Sequence, residues 1–168
     1  MSLNNPIQDQ RLERLEDVEK IKEIKYLYAR HLDDGFDAES IAGLFTEDGE
    51  WIIKGVGGEV RGRAAIKLHC ENLKSNISWS QHNIFAPRIE LNAEGDKAVA
   101  RFNLVCLLTM NSDANGSSGE AYILAGHYED QLVKVGGKWF FKAMTGVIEQ
   151  SSPWTQGWVN SPFKKESW

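Results

Sequence analysis

Leu12, Leu15, Val18, Ile21, Ile24, Leu27, Tyr28 and Leu32 recur at three- and four-residue steps, with Glu and Lys between them. That period predicts one long amphipathic helix whose charged residues fill the outer face. Asp34-Gly35 should stop it, because Gly takes up the left-handed cap conformation without steric cost. Asp37 is placed to N-cap a short second helix that turns Ile41, Leu44 and Phe45 to one side. A turn at Thr46-Glu-Asp-Gly49 then leads to a short strand, Trp51-Ile-Ile53. Gly55-Val-Gly-Gly58 reads as a hairpin turn; no GK[ST] and no strand–Gly–helix order make it a phosphate cradle. Ala64 to Leu73 returns to the helical period, with Ile66, Cys70 and Leu73 on its buried stripe.

After Ser78 the period changes to two. Ser80-Gln-His82-Asn-Ile-Phe-Ala-Pro87-Arg-Ile-Glu90 opens the first long strand pattern, with Pro87 interrupting its ladder. A turn at Ala93-Glu-Gly-Asp96 follows. Ala98, Ala100, Phe102, Leu104, Cys106, Leu108 and Met110 then alternate with Val99, Arg101, Asn103 and Val105, as a strand with two unlike faces requires. Asn111 to Gly119 is a polar loop. Ala121 to Val135 pairs through the two-residue turn Gly136-Gly137 with Trp139 to Ile148. The element order predicts an α+β fold, a curved and mainly antiparallel sheet wrapped around three N-terminal helices.

Length and composition narrow this picture. At 168 residues, with 42% hydrophobic and 26% charged residues, the chain suits one well-buried domain, with a core over about 12–150 and an aromatic tail over 151–168. A net charge of −5 without a separate Lys/Arg cluster argues against nucleic acid as a partner. No stretch approaches the roughly 20 apolar residues of a membrane helix, and the N-terminus lacks the features of a secretory signal. A cytoplasmic protein is expected, with Cys70 and Cys106 as buried free thiols. Asn76-Ile-Ser78 and Asn115-Gly-Ser117 match the glycosylation pattern but have no meaning without secretion.

The chemistry is carried by Tyr28 and Asp33, where the first helix runs out, and by His82, at the head of the long strand. A phenol, a carboxylate and an imidazole suffice for proton transfer on a carbon acid. The carboxylate orients the imidazole, the imidazole takes the proton, and the phenol holds a developing oxyanion. Asp33 at a helix C-terminus opposes the macrodipole by typically ~0.3–1 kcal/mol, so a compensating partner is expected. Each residue also has a plainer reading: Asp33 as a turn acid, His82 as a satisfied core histidine, Tyr28 as a core tyrosine. Trp51, Phe102, Leu104 and His127 are expected to line a substrate pocket, His127 by parity with Ile123 and Ala125. A bulge near Gly126 would reverse that parity. Asp33, His82 and His127 could alternatively form a two-histidine, one-carboxylate metal triad, without any short-range ligand spacing to support it. His31 and His69 read as structural.

The segments Ile24-Lys-Tyr-Leu-Tyr-Ala-Arg-His-Leu-Asp-Asp-Gly35, Ile41-Ala-Gly-Leu-Phe-Thr-Glu-Asp-Gly-Glu-Trp51, Gln81-His-Asn-Ile-Phe-Ala-Pro-Arg-Ile-Glu90 and Gly126-His-Tyr-Glu-Asp130 with Gly137-Lys-Trp139 resemble the SnoaL-like branch of the NTF2-like superfamily. The resemblance spans roughly Leu12 to Glu149 and implies a cone-shaped α+β fold. Family enzymes such as scytalone dehydratase, bile-acid 7α-dehydratases and hexachlorocyclohexane dehydrochlorinase use a cofactor-free Asp–His pair, often with tyrosines. Asp33 matches the helix-end aspartate, His82 the strand histidine, and Tyr28 the tyrosine five residues before the aspartate in the bile-acid enzymes. Glu149 stands where those enzymes place an arginine, and the strand-borne groups that bind leaving groups elsewhere have no clear match here.

The resemblance implies a lyase of dehydratase or dehydrochlorinase type, or an isomerase. It would need neither cofactor nor metal and would act on a small hydrophobic cyclic molecule. A non-catalytic ligand-binding or accessory domain, as in the small subunits of ring-hydroxylating dioxygenases, stays open as the second reading. The half-apolar outer face through Val99, Arg101, Asn103, Val105 and Leu107 predicts a homodimer or homotrimer. The tail, with Trp154, Trp158, Phe163 and Trp168, should cover apolar surface at the pocket mouth or at a subunit interface.

Overall fold

The structure, a computed structural model, describes residues 6–56, 58–111 and 119–163. Helix α1 (Pro6–Asp33) is followed by α2 (Ala38–Gly43), β1 (Phe45–Lys54), β2 (Glu59–Arg61) and α3 (Arg63–Asn76). Four long strands come next: β3 (Ile77–Leu91), β4 (Lys97–Asn111), β5 (Gly119–Val135) and β6 (Lys138–Pro153), then a single turn of helix, α4 (Gly157–Asn160). All strands form one sheet in the order β2-β1-β6-β5-β4-β3. Every neighbouring pair is antiparallel except β1 and β6, which run parallel.

The expected elements form where local chemistry directs them. Asp37 caps α2, its carboxylate accepting from the Ser40 N–H. Gly35 takes the left-handed conformation that ends α1, with φ +87°. The turn expected at Thr46–Gly49 is instead an irregular stretch inside β1, whose pairing with β6 jumps from Phe45 to Glu50. At Pro87 the β3 ladder breaks as expected: the register with β4 shifts between Phe85 and Arg88, and Ala86 sits at φ 53°. The polar loop between β4 and β5 and its Asn115 sequon lie outside the described residues, as does Trp168.

The inner face of the sheet is read from the register. Phe102, Leu104, Cys106 and Leu108 on β4 are buried, and they align with Tyr128, Gly126, Leu124 and Tyr122 on β5. Helix α1 lies against this face and touches several strands. Lys25 pairs with Asp130 of β5, Asp17 with Lys134 and Trp139, and Asp33 with His82 of β3. The sheet therefore curves round the helix, and bulky rings such as Phe45, Phe102 and Phe141 are buried in the core.

One expectation is corrected here. Leu12, Leu15 and Leu27 do not share the buried stripe of α1; Leu15 is 65% exposed. The buried positions are Asp17, Ile21, Ile24, Lys25, Tyr28, Ala29 and Leu32. Two charged residues belong to the core side because the sheet supplies their partners, Asp130 for Lys25 and Lys134 for Asp17. The tail, for its part, follows β6 onto the outer side of the sheet. Trp158 adjoins Ile123, Ala125, Gln150 and Ser152 around a hollow of about 300 Å³, Ser152 Oγ donates to the Ser161 carbonyl, and Phe163 packs against the core. Trp154 and Trp158 stay more than half exposed.

Candidate active site

Asp33 ends α1 and His82 lies on the inner face of β3, opposite Cys106 of β4. His82 Nδ1 is 2.6 Å from Asp33 Oδ1. The His82 backbone N–H donates to Asp33 Oδ2 at 2.8 Å, and Ser80 Oγ donates to Oδ1 at 2.9 Å. The carboxylate is thus held at both oxygens by one strand. Burial alone would push the Asp33 carboxyl up. The side-chain and backbone bonds from His82, its charge, and the Ser80 hydroxyl outweigh burial and hold Asp33 below the usual carboxylate value.

A cavity of about 500 Å³ opens on the same inner face. Trp51, Ile53, Leu73, Ile77, Leu108 and Leu124 form its apolar walls, while Asn111, Glu120, Tyr122 and Ser151 are its polar lining. Asp33 and His82 adjoin this cavity without lining it. Ser80 is register partner of the wall residue Leu108, and Cys106, partner of His82, aligns with the wall residue Leu124. A larger open groove of about 790 Å³ follows the outer side of α1 past Leu12, Leu15 and Leu27. Neither Asp33 nor His82 lines it.

The remaining expected residues fall in different places. Trp51 is a wall of the cavity, and its indole N–H donates to the Tyr28 hydroxyl at 2.9 Å. Tyr28 is 1% exposed and sits one layer behind that wall. Burial drives its phenol well above its ordinary value, so it stays protonated. Phe102 and Leu104 do not line the cavity. Both are buried in the core, and Lys25 Nζ lies 5.7 Å from the Phe102 ring centroid.

His127 is a correction. It faces outward, as do Ile123 and Ala125, because the β4–β5 register runs unbroken from end to end. The irregularity beside Gly126 is in the pairing with β6 and does not turn the strand over. On β5 the inward positions are Gly126, Tyr128, Asp130 and Leu132, so a run that looked polar is the buried one. His127 instead lies between Glu129 and Glu149. The Asp33, His82, His127 metal triad is therefore not assembled. Among the described residues no three His, Cys, Asp or Glu side chains gather closely enough to hold a metal ion.

Three features had no signal in the sequence. Ser80 is an ordinary strand serine until the register puts it beside Asp33. The ion pair of Lys25 and Asp130, 2.9 Å apart with both side chains fully buried, joins residues that any hydropathy reading sends to solvent. Burial pulls Lys25 down to about 8 against the opposing charge of Asp130. His69 packs against Trp51 with the rings tilted by 52° and their centroids 4.4 Å apart, which steadies this wall of the cavity.

The SnoaL-like domain model matches residues 13–145 of the chain. The protein belongs to the SnoaL-like family. Its structure is similar to the crystal structure of a scytalone dehydratase-like protein from Novosphingobium aromaticivorans, with a TM-score of 0.73 and 25% identity over 84% of this chain and 90% of that one. A type 2 hexachlorocyclohexane dehydrochlorinase has a TM-score of 0.75 at 20% identity, over 85% of this chain and 92% of that one. An NTF2-like protein with a cystatin-like fold, also from Novosphingobium aromaticivorans, has a TM-score of 0.63 at 24% identity, over 89% and 91% of the two chains. The last two likenesses establish the fold, which is of the NTF2-like, cystatin-like α+β type. No curated protein matches the chain in sequence. Among the described residues no helix is long and apolar enough to cross a membrane. Cys70 and Cys106 are buried free thiols.

Proposed function

We propose that this SnoaL-like protein is a cofactor-independent lyase or isomerase that removes a proton from a small, hydrophobic, cyclic substrate. The observation that carries this reading is the 2.6 Å contact between Asp33 and His82 beside an apolar cavity. An ionised Asp33 only accepts hydrogen bonds, so Nδ1 carries the imidazole proton and Nε2 keeps its lone pair. Nε2 then takes a proton from a substrate carbon. The C–H electrons form a double bond while a leaving group departs with its own pair, or they shift toward a carbonyl oxygen. Asp33 stabilises the imidazolium that results.

In this reading Tyr28 works through Trp51. The indole donates its only N–H to the phenol, which fixes the plane of the ring that closes one side of the cavity. The likeness to a scytalone dehydratase-like protein supports loss of water as the elimination type, and the mostly apolar walls support a hydrocarbon body with few polar groups. The half-apolar outer face supports a homo-oligomer.

The test begins with a thermal-shift screen of cyclic ketones, polyketides, sterols and halogenated hydrocarbons. Compounds that bind are incubated in D₂O with wild-type protein and with His82→Ala. Exchange or elimination by wild type alone supports the proposal. Tight binders that neither exchange nor eliminate with wild-type protein would make the fold a binding module instead.

A further inference from the structure

We infer that Ser80 is a positioning residue of the Asp33–His82 pair, fixing the plane and the charge state of the carboxylate that the imidazole meets. Its consequence for catalysis rests on the function proposed above, whereas its effect on the pair does not.

A carboxylate turns about its Cβ–Cγ bond unless both oxygens are held. Here Oδ2 accepts from the His82 backbone N–H at 2.8 Å, and Oδ1 faces both the Ser80 hydroxyl at 2.9 Å and His82 Nδ1 at 2.6 Å. Without Ser80, Oδ1 would be held only by the ring it is meant to orient. Ser80 and His82 are two residues apart on β3, so both face inward, and Asp33 reaches them from the end of α1. The serine is 4% exposed, so water has little room to replace its hydroxyl. A hydrogen bond to an ionised acceptor is about twice as strong as a neutral one, and a buried acceptor that loses its donor is left uncompensated. The Ser80 hydroxyl is also among the contacts that hold Asp33 below the usual carboxylate value against the opposite push of burial.

The position has a second property. Leu108, opposite Ser80, is a wall of the cavity, so Ser80 adjoins both that wall and the pair. It already gives its one proton to Asp33. It therefore acts on the imidazole through the carboxylate and has no need to touch substrate.

The experiment uses the full chain and needs no substrate. Asp33 is followed by carboxyl ¹³C NMR across an acid titration, and the His82 Nδ1–H proton by its downfield ¹H signal. The variants are Ser80→Ala, Ser80→Cys and Ser80→Thr; the cysteine keeps the volume with a much weaker donor, and so serves if the alanine variant does not fold. In the alanine and cysteine variants the Asp33 midpoint should move to higher pH and the Nδ1–H signal should broaden through exchange with water. Threonine should restore both. An Asp33 midpoint and an Nδ1–H signal unchanged from wild type in the alanine or cysteine variant would overturn the inference, whatever the melting temperature does. Because these readouts need no turnover, they fail separately from the lyase reading, which falls on the D₂O exchange test. With a substrate in hand, the same two variants should lose roughly 10- to 100-fold in kcat with little change in KM.

Discussion

His82→Ala removes the proposed base beside the cavity, and should cost ~10²–10⁴-fold in kcat/KM once a substrate is known. Asp33→Asn should cost a similar factor, since an amide cannot stabilise the imidazolium. Tyr28→Phe separates two roles for the phenol. A direct oxyanion donor would cost ~10²–10³-fold on removal, whereas a group that only steadies Trp51 should cost roughly five- to tenfold, most of it in KM. Steady-state kinetics on the three variants distinguishes these roles. Asp33 and Asp17 also leave a mark on stability. Both are held below the ordinary carboxylate value, Asp17 by Lys134 and Trp139 against the upward push of burial. The unfolded chain therefore binds more protons than the folded one between the two values. Their contribution to stability is fully present above the unfolded value, near pH 4, and is lost as pH falls through the folded values. Thermal melts between pH 7 and pH 3 should show a shallower acid limb for Asp17→Asn than for wild type.

Helix α1 and strand β5 show at the scale of elements what a hydropathy pattern captures and what it misses. The long helix, its stop at Gly35, the cap at Asp37 and the Gly136-Gly137 hairpin all follow from local chemistry, and the structure has them in place. Which face of α1 is buried does not follow, because Asp17 and Lys25 become core residues only through partners far along the chain. The orientation of β5 does not follow from it either: Asp130 faces inward, where Lys25 neutralises it, and this puts His127 on the outer side. Asp33 and His82 were legible through the family pattern around them, while Ser80 needed the register. The Lys25–Asp130 pair gives a direct test of this coupling between elements. Lys25→Met should destabilise by about 3–5 kcal/mol, because it strands a carboxylate in the core. Adding Asp130→Leu to Lys25→Met should recover most of that loss, since buried ion pairs are often replaceable by apolar residues at little net cost. Urea denaturation of the single and double variants measures both values, and a double variant as unstable as the single one would mean that the pair has a further role.

The molecule as a whole carries its cavity on one side of the sheet and its unspent apolar surface on the other. Trp79, aligned with Thr109, faces outward with Val105, Leu107, Ile123 and Ala125, and α4 sets Trp158 over the last two. Trp79 and Trp158 on this face are each about half exposed, and Trp154 of the same tail is also exposed, an unusual amount of aromatic surface for a lone subunit. Among the described residues the tail is held there by the bond from Trp154 N–H to the Ala121 carbonyl, the bond from Ser152 Oγ to the Ser161 carbonyl, and the packing of Phe163. Each large aromatic ring buries roughly 150–250 Å² when covered, enough to offset the ordering of a short irregular segment. We therefore expect a second copy of the chain to complete this cover, and light scattering to give the mass of a dimer or trimer. A chain ending at Gln156 should lose α4 and Phe163, melt several degrees lower and bind more of a hydrophobic dye. It should also shift toward monomer on dilution, while the cavity on the inner face keeps its ligand affinity. Unchanged mass and melting temperature in the truncated chain would reduce the tail to an appendage. A loss of ligand affinity at constant mass would instead place its main contact at the cavity.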